Sequence, residues 1–241
     1  MIYFYLFTIG AIAFSISTLT AGGGAMMILP LLSLLIGANN VAPVLNLGNF
    51  IGRPIRLYLF WKNIKWEVVK YYVPPSIIGA WLGARFLASV DSALMELLIG
   101  LFLVSTIFQY QFGKKKRSFI MKLPYFIPLG LIVPFITTIT GALGPLLNPF
   151  LLNYNLTKEE LIATKTASSF FTGIVQIGSY SFFGLMDNNM WIWGLVLGLG
   201  IALGNWIGKV LLKKISEKSF RQFAVLFMVI SGILLIYQSF Q

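Results

Sequence analysis

Histidine and cysteine are both absent from the 241 residues of this chain. Without them the protein can form no disulfide bond, carries no thiolate nucleophile and lacks the commonest ligands of transition metals. An enzyme embedded in a membrane would need a nucleophile with a base, a pair of acids or a bound metal. We therefore expect that the protein is not an enzyme, with no catalytic residue, no cofactor and no metal site.

Acidic residues are scarce, because Asp and Glu number 7 against 18 Lys and Arg. All of them fall in or beside predicted loops, or in first helical turns, where the helix dipole favours negative charge. They are Glu67, Asp91, Glu96, Glu159, Glu160, Asp187 and Glu217. A cation transporter or a proton relay would normally need a carboxylate inside the membrane. Cations without such an acid favour an anionic substrate.

Hydrophobic residues make up 58% of the chain and charged residues 10%, whereas a soluble domain has about 45–50% and about 25%. This composition predicts an all-α polytopic membrane protein. Each crossing needs roughly 20 apolar residues, so the length allows about ten crossings and no soluble domain. The N-terminal run, residues 1–10, has no basic region and no small-residue cleavage site, so we interpret it as a retained helix.

The formal net charge of +11 comes from Lys and Arg in short loops between apolar runs, which is typical of cytoplasmic loops. We expect the partners to be the lipid bilayer and a small anionic substrate, with no nucleic acid. A homodimer is compatible with the sequence.

The two halves of the chain repeat one pattern at a period of roughly 120 residues, the sign of an internal duplication. Pairing Gly22 with Gly141 also pairs Pro30 with Pro149. The ordered series continues with Tyr58 and Phe60 against Tyr180 and Phe182, Trp66 against Trp191, and Gly79 and Gly83 against Gly200 and Gly204.

Each half contains five hydrophobic segments, and the second of each is too short to cross a bilayer comfortably, so it either tilts or re-enters. The predicted segments are 3–20, 25–36, 41–61, 68–88 and 93–110, then 123–139, 145–152, 160–183, 190–212 and 220–237. We predict a first repeat over residues 1–111, a basic cytoplasmic linker over 112–122, and a second repeat over 123–241.

The loop charges predict that the two repeats have opposite orientations in the membrane. Between the third and fourth segments the first half has Lys62, Lys65 and Lys70, and the second half has only Asp187. Between the fourth and fifth segments the pattern reverses, with only Asp91 in the first half and five basic residues from Lys209 to Arg221 in the second. Inverted repeats account for this alternation. Both termini are then outside a multi-pass protein of the cytoplasmic membrane.

Glycine-rich breaks interrupt both halves and are candidate anion-binding sites. They comprise Gly22, Gly23 and Gly24 in the first half, and Gly141 and Gly144, followed by Pro145, in the second. Three glycines destabilise a helix interior by about 1 kcal/mol each. A helix that starts at such a break directs free N–H groups and a positive dipole end toward the centre of the bundle. Close packing through small residues is the alternative interpretation.

Polar side chains follow one face of the third segment of each half. In the first half they are Asn46, Asn49, Arg53 and Arg56, and in the second Lys165, Ser168, Ser169, Thr172 and Gln176. Facing stripes would line a path, although interhelical hydrogen bonds and snorkelling cations are the alternative. Arg53 would lie roughly 18 Å from the outer edge, where a cation is costly and is a functional candidate. Lys165 leans toward the cytoplasm.

With these residues, the chain resembles the sulfite exporter TauE/SafE family over nearly its whole length. The resemblance is carried by AGGGAMMILP at 21–30, TGALGPLLNP at 140–149, the small-polar run AxxTAS at 163–168, and the glycine pairs at 79 and 200. It implies inverted repeats with a site for sulfite, sulfonates or related sulfur anions between them. Two departures bear on the substrate: the second half lacks the glycine triplet, and Lys165 replaces a residue that is more often small.

The leading hypothesis is therefore a secondary transporter that exports a small anion by rocking or gating one repeat against the other. Its binding residues are predicted to be the glycines of both breaks together with Asn46, Asn49, Arg53, Arg56, Lys165, Ser169 and Gln176. A channel-like conduit for another small anion and a non-transport membrane assembly protein are the alternatives.

Overall fold

The computed structural model describes residues 1–17, 24–91, 93–94, 97–101, 104, 121–141, 147–211, 229, 233 and 236–237. Within these ranges the chain forms helices and connecting turns, with no strand. The α-helices are α1 (Ile2–Ser17), α2 (Gly24–Ile36), α3 (Ala38–Phe60), α4 (Trp66–Ala88), α5 (Phe126–Thr140), α6 (Asn148–Asn153), α7 (Lys158–Phe182) and α8 (Asn188–Leu211). Short 3-10 turns at Trp61–Asn63 and Leu123–Tyr125 precede α4 and α5.

Two helices are short. Helix α2 has 13 residues, or about 20 Å of rise, and α6 has six, so neither matches a hydrocarbon core of about 30 Å. A single residue, Gly37, separates α2 from α3. Its φ of 80° is a left-handed conformation that suits glycine, and its N–H donates to the Ser33 carbonyl oxygen at 3.0 Å. The prediction that the second segment of each half is short agrees with these helices.

The long helices pack mainly on helices from the other half of the chain. Helix α1 packs on α8, α5 packs on α4, and α3 and α7 pack on each other and on α8 and α4 respectively. Glycines bring the backbones together at equivalent places. A Cβ added at Gly79 of α4 would overlap the carbonyl oxygen of Leu131 in α5, and one added at Gly200 of α8 would overlap that of Phe7 in α1. The predicted glycine pairs are therefore tight helix contacts.

By length and composition alone, two of the described helical segments could cross a membrane, Leu123–Thr140 and Asn188–Gly208. Helix α3 has 23 residues and α7 has 25, which is about 35 Å or more of rise. Both are long enough, but they carry the polar stripes, which lower their hydropathy. The expected count of five segments per half is thus not reached by this measure among the described residues.

The predicted fourth segment of each half coincides with α4 and α8 to within two residues at each end. The third segment of the first half begins three residues earlier than predicted, because the α2–α3 turn uses only Gly37. Most of the fifth segments, residues 112–120 of the basic linker, Gly22, Gly23 and Gly144 lie outside the described residues.

A polar strap joins the two halves at one end of the bundle. The Lys65 ammonium lies 2.8 Å from a carboxylate oxygen of Glu160, and the Lys65 backbone N–H donates to the Thr164 hydroxyl at 3.0 Å. The hydroxyl of Tyr154 donates to the Glu67 carboxylate at 3.0 Å. The hydrogen bond to Glu160 and its charge raise the pKa of Lys65. Lys65 and Glu67 flank the start of α4, so the strap ties this corner of the first half to the second.

Candidate functional site

The predicted polar faces of α3 and α7 meet at an antiparallel interface. The rings of Phe50 and Phe170 stack there with centroids 5.0 Å apart. Gly173, one turn further along α7, leaves room for both Phe50 and the Arg53 side chain, because a Cβ at this position would lie 3.0 Å from Arg53 Nη1. Since Arg53 Nη1 and Phe50 both lie against Gly173, the Arg53 side chain leans toward the N-terminus of α3, as helix geometry predicts.

Arg53 is held to the backbone of α7. Its Nη1–H donates to the carbonyl oxygen of Ser169 at 2.8 Å. The group of Ser169 that contacts Arg53 is thus its carbonyl, whereas the sequence had suggested a polar side chain facing the path. Tyr72 of α4 lies within electrostatic range of the same guanidinium. Arg53 therefore sits where α3, α4 and α7 come together.

Two further cations accompany Arg53. Arg56 follows one turn later on α3, and Lys165 of α7 lies within electrostatic range of both guanidinium groups. All three side chains are partly buried. Among the described residues, no carboxylate forms an ion pair with Arg53 or Arg56; the ion pair between Lys65 and Glu160 belongs to the polar strap. We call Arg53, Arg56 and Lys165 the cation cluster.

The Nε atom of Arg56 is buried and has no hydrogen-bond partner among the described residues. Buried donors in proteins are nearly always paired, so an unpaired one needs an explanation, and a bound ion is one such explanation. Asn49, one turn before Arg53 on α3, is 6% exposed. The unpaired Nε donor of Arg56, together with the positive charges of Arg53 and Lys165, suits an anion.

A second group of polar residues joins α3, α5 and α7 at the other end of the stripe. Asn46 Nδ2 donates to the Tyr180 hydroxyl at 2.7 Å and to the Thr137 carbonyl oxygen at 3.1 Å. The Tyr180 hydroxyl donates to the Thr138 carbonyl oxygen. Gln176 Nε2 donates to the hydroxyls of both threonines at 3.0 Å. We call these five residues the polar network.

The polar network includes residues that the sequence did not single out. In the sequence, Tyr180 stands out only as half of an aromatic match between the repeats, and Thr137 and Thr138 do not stand out. A pair of threonines directly before the predicted break was the available signal. About one turn before Gln176 on α7, the Thr172 hydroxyl donates to the Ser76 hydroxyl of α4 at 3.0 Å. This bond fixes α7 against α4. Most of the predicted small-polar stripe of α7 is therefore engaged with protein partners.

Gly141 ends α5 where the sequence predicted a break. Its φ is 77° and its N–H donates to the Thr137 carbonyl oxygen at 2.9 Å. A Cβ here would lie 2.9 Å from the Cα of Ala42, so the break approaches α3 closely. Ala42 precedes Arg53 by eleven residues, or about 16 Å along the helix axis. The structure thus places Gly141 and the cation cluster at different levels. In the first half, Gly24 is the first described residue of α2, and Gly22 and Gly23 lie outside the described residues.

Comparison with known proteins identifies a family of membrane transporters. A family model described as sulfite exporter TauE/SafE matches residues 6–235 of the chain. Among curated proteins, the chain is similar to one from Bacillus subtilis (strain 168) described as "Probable membrane transporter protein YtnM", with 30% identity over 152 residues. This alignment covers 58% of the chain and 51% of the relative. The chain therefore spans about half the length of that relative. No solved structure matches.

Proposed function

The chain belongs to the sulfite exporter TauE/SafE family, and from this membership we propose that it is a secondary membrane transporter that exports a small anion. The proposed substrate is sulfite, an organosulfonate or a related sulfur oxyanion. The family description supplies the sulfur chemistry, and the residues of the α3–α7 interface supply the charge. The protein would lie in the cytoplasmic membrane and have no enzymatic activity.

One observation carries the proposal. Arg53 and Arg56 lie together at the α3–α7 interface, and no described carboxylate pairs with either of them. A cation away from water is costly unless it meets an opposite charge. A transported anion would provide that charge each time it passes. A guanidinium offers a planar fork of N–H donors that matches two oxygens of an oxyanion.

We further propose that the halves are inverted repeats, with residues 1–111 and 123–241 joined by a basic cytoplasmic linker and both termini outside. The reciprocal packing supports this arrangement. In a pseudo-twofold pair, the first helix of each half would contact the fourth helix of the other, and α1 packs on α8 as α5 packs on α4. Inverted repeats with a site between them are a common plan of secondary transporters.

The anion would bind between α3 and α7, one helix from each repeat. In this topology the polar network lies on the outer side of the cation cluster and the polar strap on its inner side. Movement of one half against the other would open the polar network and the polar strap in turn. Backbone N–H groups at the glycine breaks, around Gly22, Gly23, Gly24 and Gly144, would form a second set of anion contacts at another level of the bundle. The N–H of Gly141 itself donates to the Thr137 carbonyl oxygen.

Counterflow in proteoliposomes tests the proposal. Vesicles that contain the purified protein would be loaded with unlabelled sulfite, sulfoacetate, thiosulfate, sulfate or chloride, and uptake of labelled sulfite would be measured. We expect accelerated uptake with one or more sulfur oxyanions inside and none with chloride. Equal conductance of every anion, chloride included, would indicate a channel-like conduit. Absence of any flux from well-folded protein would favour an assembly role and contradict the proposal.

A further inference from the structure

The two arginines of the cation cluster differ in how their donors are used. Arg53 is bonded through Nη1 to the Ser169 carbonyl oxygen at 2.8 Å, and Gly173 gives it the space to reach this oxygen. Its position is therefore set by the backbone of α7. A guanidinium fixed in this way also fixes the spacing of α3 and α7, because the bond joins a side chain of one helix to the main chain of the other.

The Nε atom of Arg56 makes no hydrogen bond of this kind within the described part of the chain. This atom is buried and has no hydrogen-bond partner among the described residues. The Nε–H and the neighbouring Nη–H point in the same direction along one edge of the planar group. This edge can donate two parallel hydrogen bonds to two oxygens on one central atom. Arg56 therefore offers an unused fork beside Lys165, whose ammonium is within electrostatic range.

We propose that Arg56 binds the transported anion directly through its Nε edge, and that Arg53 is a positioning residue that holds α3 against α7. This inference rests on the proposed function and assigns the substrate class of its site: an oxyanion with two oxygens on one atom. Sulfite, a sulfonate and a carboxylate meet this requirement. A halide matches the fork less well, because both N–H groups would have to converge on a single atom and could not each take a separate oxygen.

From the sequence, Arg53 is the stronger candidate ligand of the two arginines, whereas their hydrogen bonding favours Arg56. Both have the same side chain, one helical turn apart on one face of α3, and depth alone favours Arg53. What separates them is the partner: Ser169 for Arg53 Nη1 and no described residue for Arg56 Nε. Since each arginine serves as the matched control for the other, the assignment can be tested with four substitutions.

The variants are Arg56→Lys, Arg56→Gln, Arg53→Lys and Arg53→Gln. Two measurements are made on each: the apparent KM and maximal rate of sulfite counterflow in proteoliposomes, and the rise in melting temperature of the purified protein when sulfite is added. Chloride is used as a competitor in both. A lysine keeps the charge but cannot reproduce the fork, so the Lys variants separate geometry from charge.

Arg56→Lys is expected to raise KM for sulfite by on the order of tenfold to a hundredfold, the loss of one charge-assisted hydrogen bond. It should also abolish most of the sulfite-induced stabilisation and let chloride compete. Both Arg53 variants are expected to lower the maximal rate and the melting temperature without ligand, with KM for sulfite within about twofold of the wild type. Arg56→Lys remains informative if Arg56→Gln does not fold.

The reverse result would overturn the assignment. If the Arg53 variants lose sulfite-induced stabilisation while the Arg56 variants keep it, Arg53 is the ligand. If chloride stabilises and competes as well as sulfite in the wild type, the site does not select an oxyanion. A wild-type protein that neither transports nor is stabilised by any of the sulfur oxyanions would instead defeat the proposed function, and this inference with it.

Discussion

Asn46 and Tyr180 form a buried hydrogen bond of 2.7 Å between α3 and α7. The same two side chains donate to the carbonyl oxygens of Thr137 and Thr138 in the last turn of α5. The last four carbonyls of a helix have no donor within the helix. Away from water, each unsatisfied carbonyl is costly. Tyr180 therefore caps the Thr138 carbonyl at the end of α5. Asn46 adds a second donor to the Thr137 carbonyl, which already accepts from the Gly141 N–H.

Replacing Tyr180 by Phe removes the hydroxyl that bridges Asn46 and Thr138. Tyr180 is 0% exposed, so water cannot replace the lost partner, and we expect a loss of about 1–3 kcal/mol in the free energy of unfolding. The measurement is thermal or denaturant unfolding of the purified protein in detergent. Tyr58→Phe is the matched control, because Tyr58 is the predicted repeat equivalent and is 83% exposed. Equal stability of the two variants would show that the cap does not contribute.

The glycine contacts between α4 and α5 predict a steric effect. Gly79 lies against the Leu131 carbonyl oxygen, and a Cβ would overlap it, so Gly79→Leu must push the two helices apart. Overpacking of this kind costs about 1–3 kcal/mol or more. Gly178→Leu is the control, because a Cβ at Gly178 meets nothing within 4 Å. Folded yield and melting temperature should fall for Gly79→Leu and change little for Gly178→Leu. An unchanged Gly79→Leu protein would contradict the close approach.

Much of the helical frame could be predicted from the sequence, because apolar runs bounded by Gly, Pro and charged residues define helices whatever their neighbours are. The polar faces of α3 and α7 could be predicted as well, since helical spacing places Asn49 and Arg53 on one face of α3 and Lys165 on the polar face of α7. The residues that these side chains contact could not be predicted. The bond from Arg53 ends on a backbone carbonyl, and every residue has one, so no residue type identifies Ser169.

The role of Tyr180 in capping α5 could not be predicted from the sequence, for a similar reason. A tyrosine in an apolar helix is consistent with packing alone, and only the approach of the end of α5 gives its hydroxyl an acceptor. The separation of Gly141 from the cation cluster also depends on how the helices pack, because α5 meets α3 near Ala42. Tertiary contacts of this kind leave no periodic signal in a single chain.

Opposite orientation of the repeats predicts opposite exposure of two equivalent turns. Asn63 lies in the turn before α4, and Asn189 lies in the first turn of α8, after the equivalent loop of the second half; both side chains are exposed. Because the chain has no cysteine, single Asn63→Cys and Asn189→Cys variants provide clean reporters. In intact cells an impermeant thiol reagent should label Asn189→Cys and reach Asn63→Cys only after permeabilisation. Labelling of both from the same side would contradict inverted repeats.

The polar strap allows a test of movement between the halves. Lys65 and Glu160 approach within 2.8 Å at one end of the bundle, and both side chains are partly solvent-accessible. If transport requires the halves to separate at this end, a covalent link here should block it. The variant carries Lys65→Cys and Glu160→Cys, joined by a short bifunctional thiol reagent. The control carries Trp61→Cys and Trp66→Cys, two neighbours within the first half whose rings lie 5.4 Å apart.

Cross-linking the strap pair should reduce sulfite counterflow at least tenfold, because the linked halves cannot exchange between open and closed states. Cross-linking the control pair should leave counterflow near the rate of the untreated variant. A cleavable reagent supplies the internal check, since reduction should restore transport in the strap variant. Full transport by the cross-linked strap variant would mean that this end stays closed throughout the cycle. The Lys65–Glu160 contact would then be a static tie, and the anion would have to reach the cation cluster by a path that avoids it.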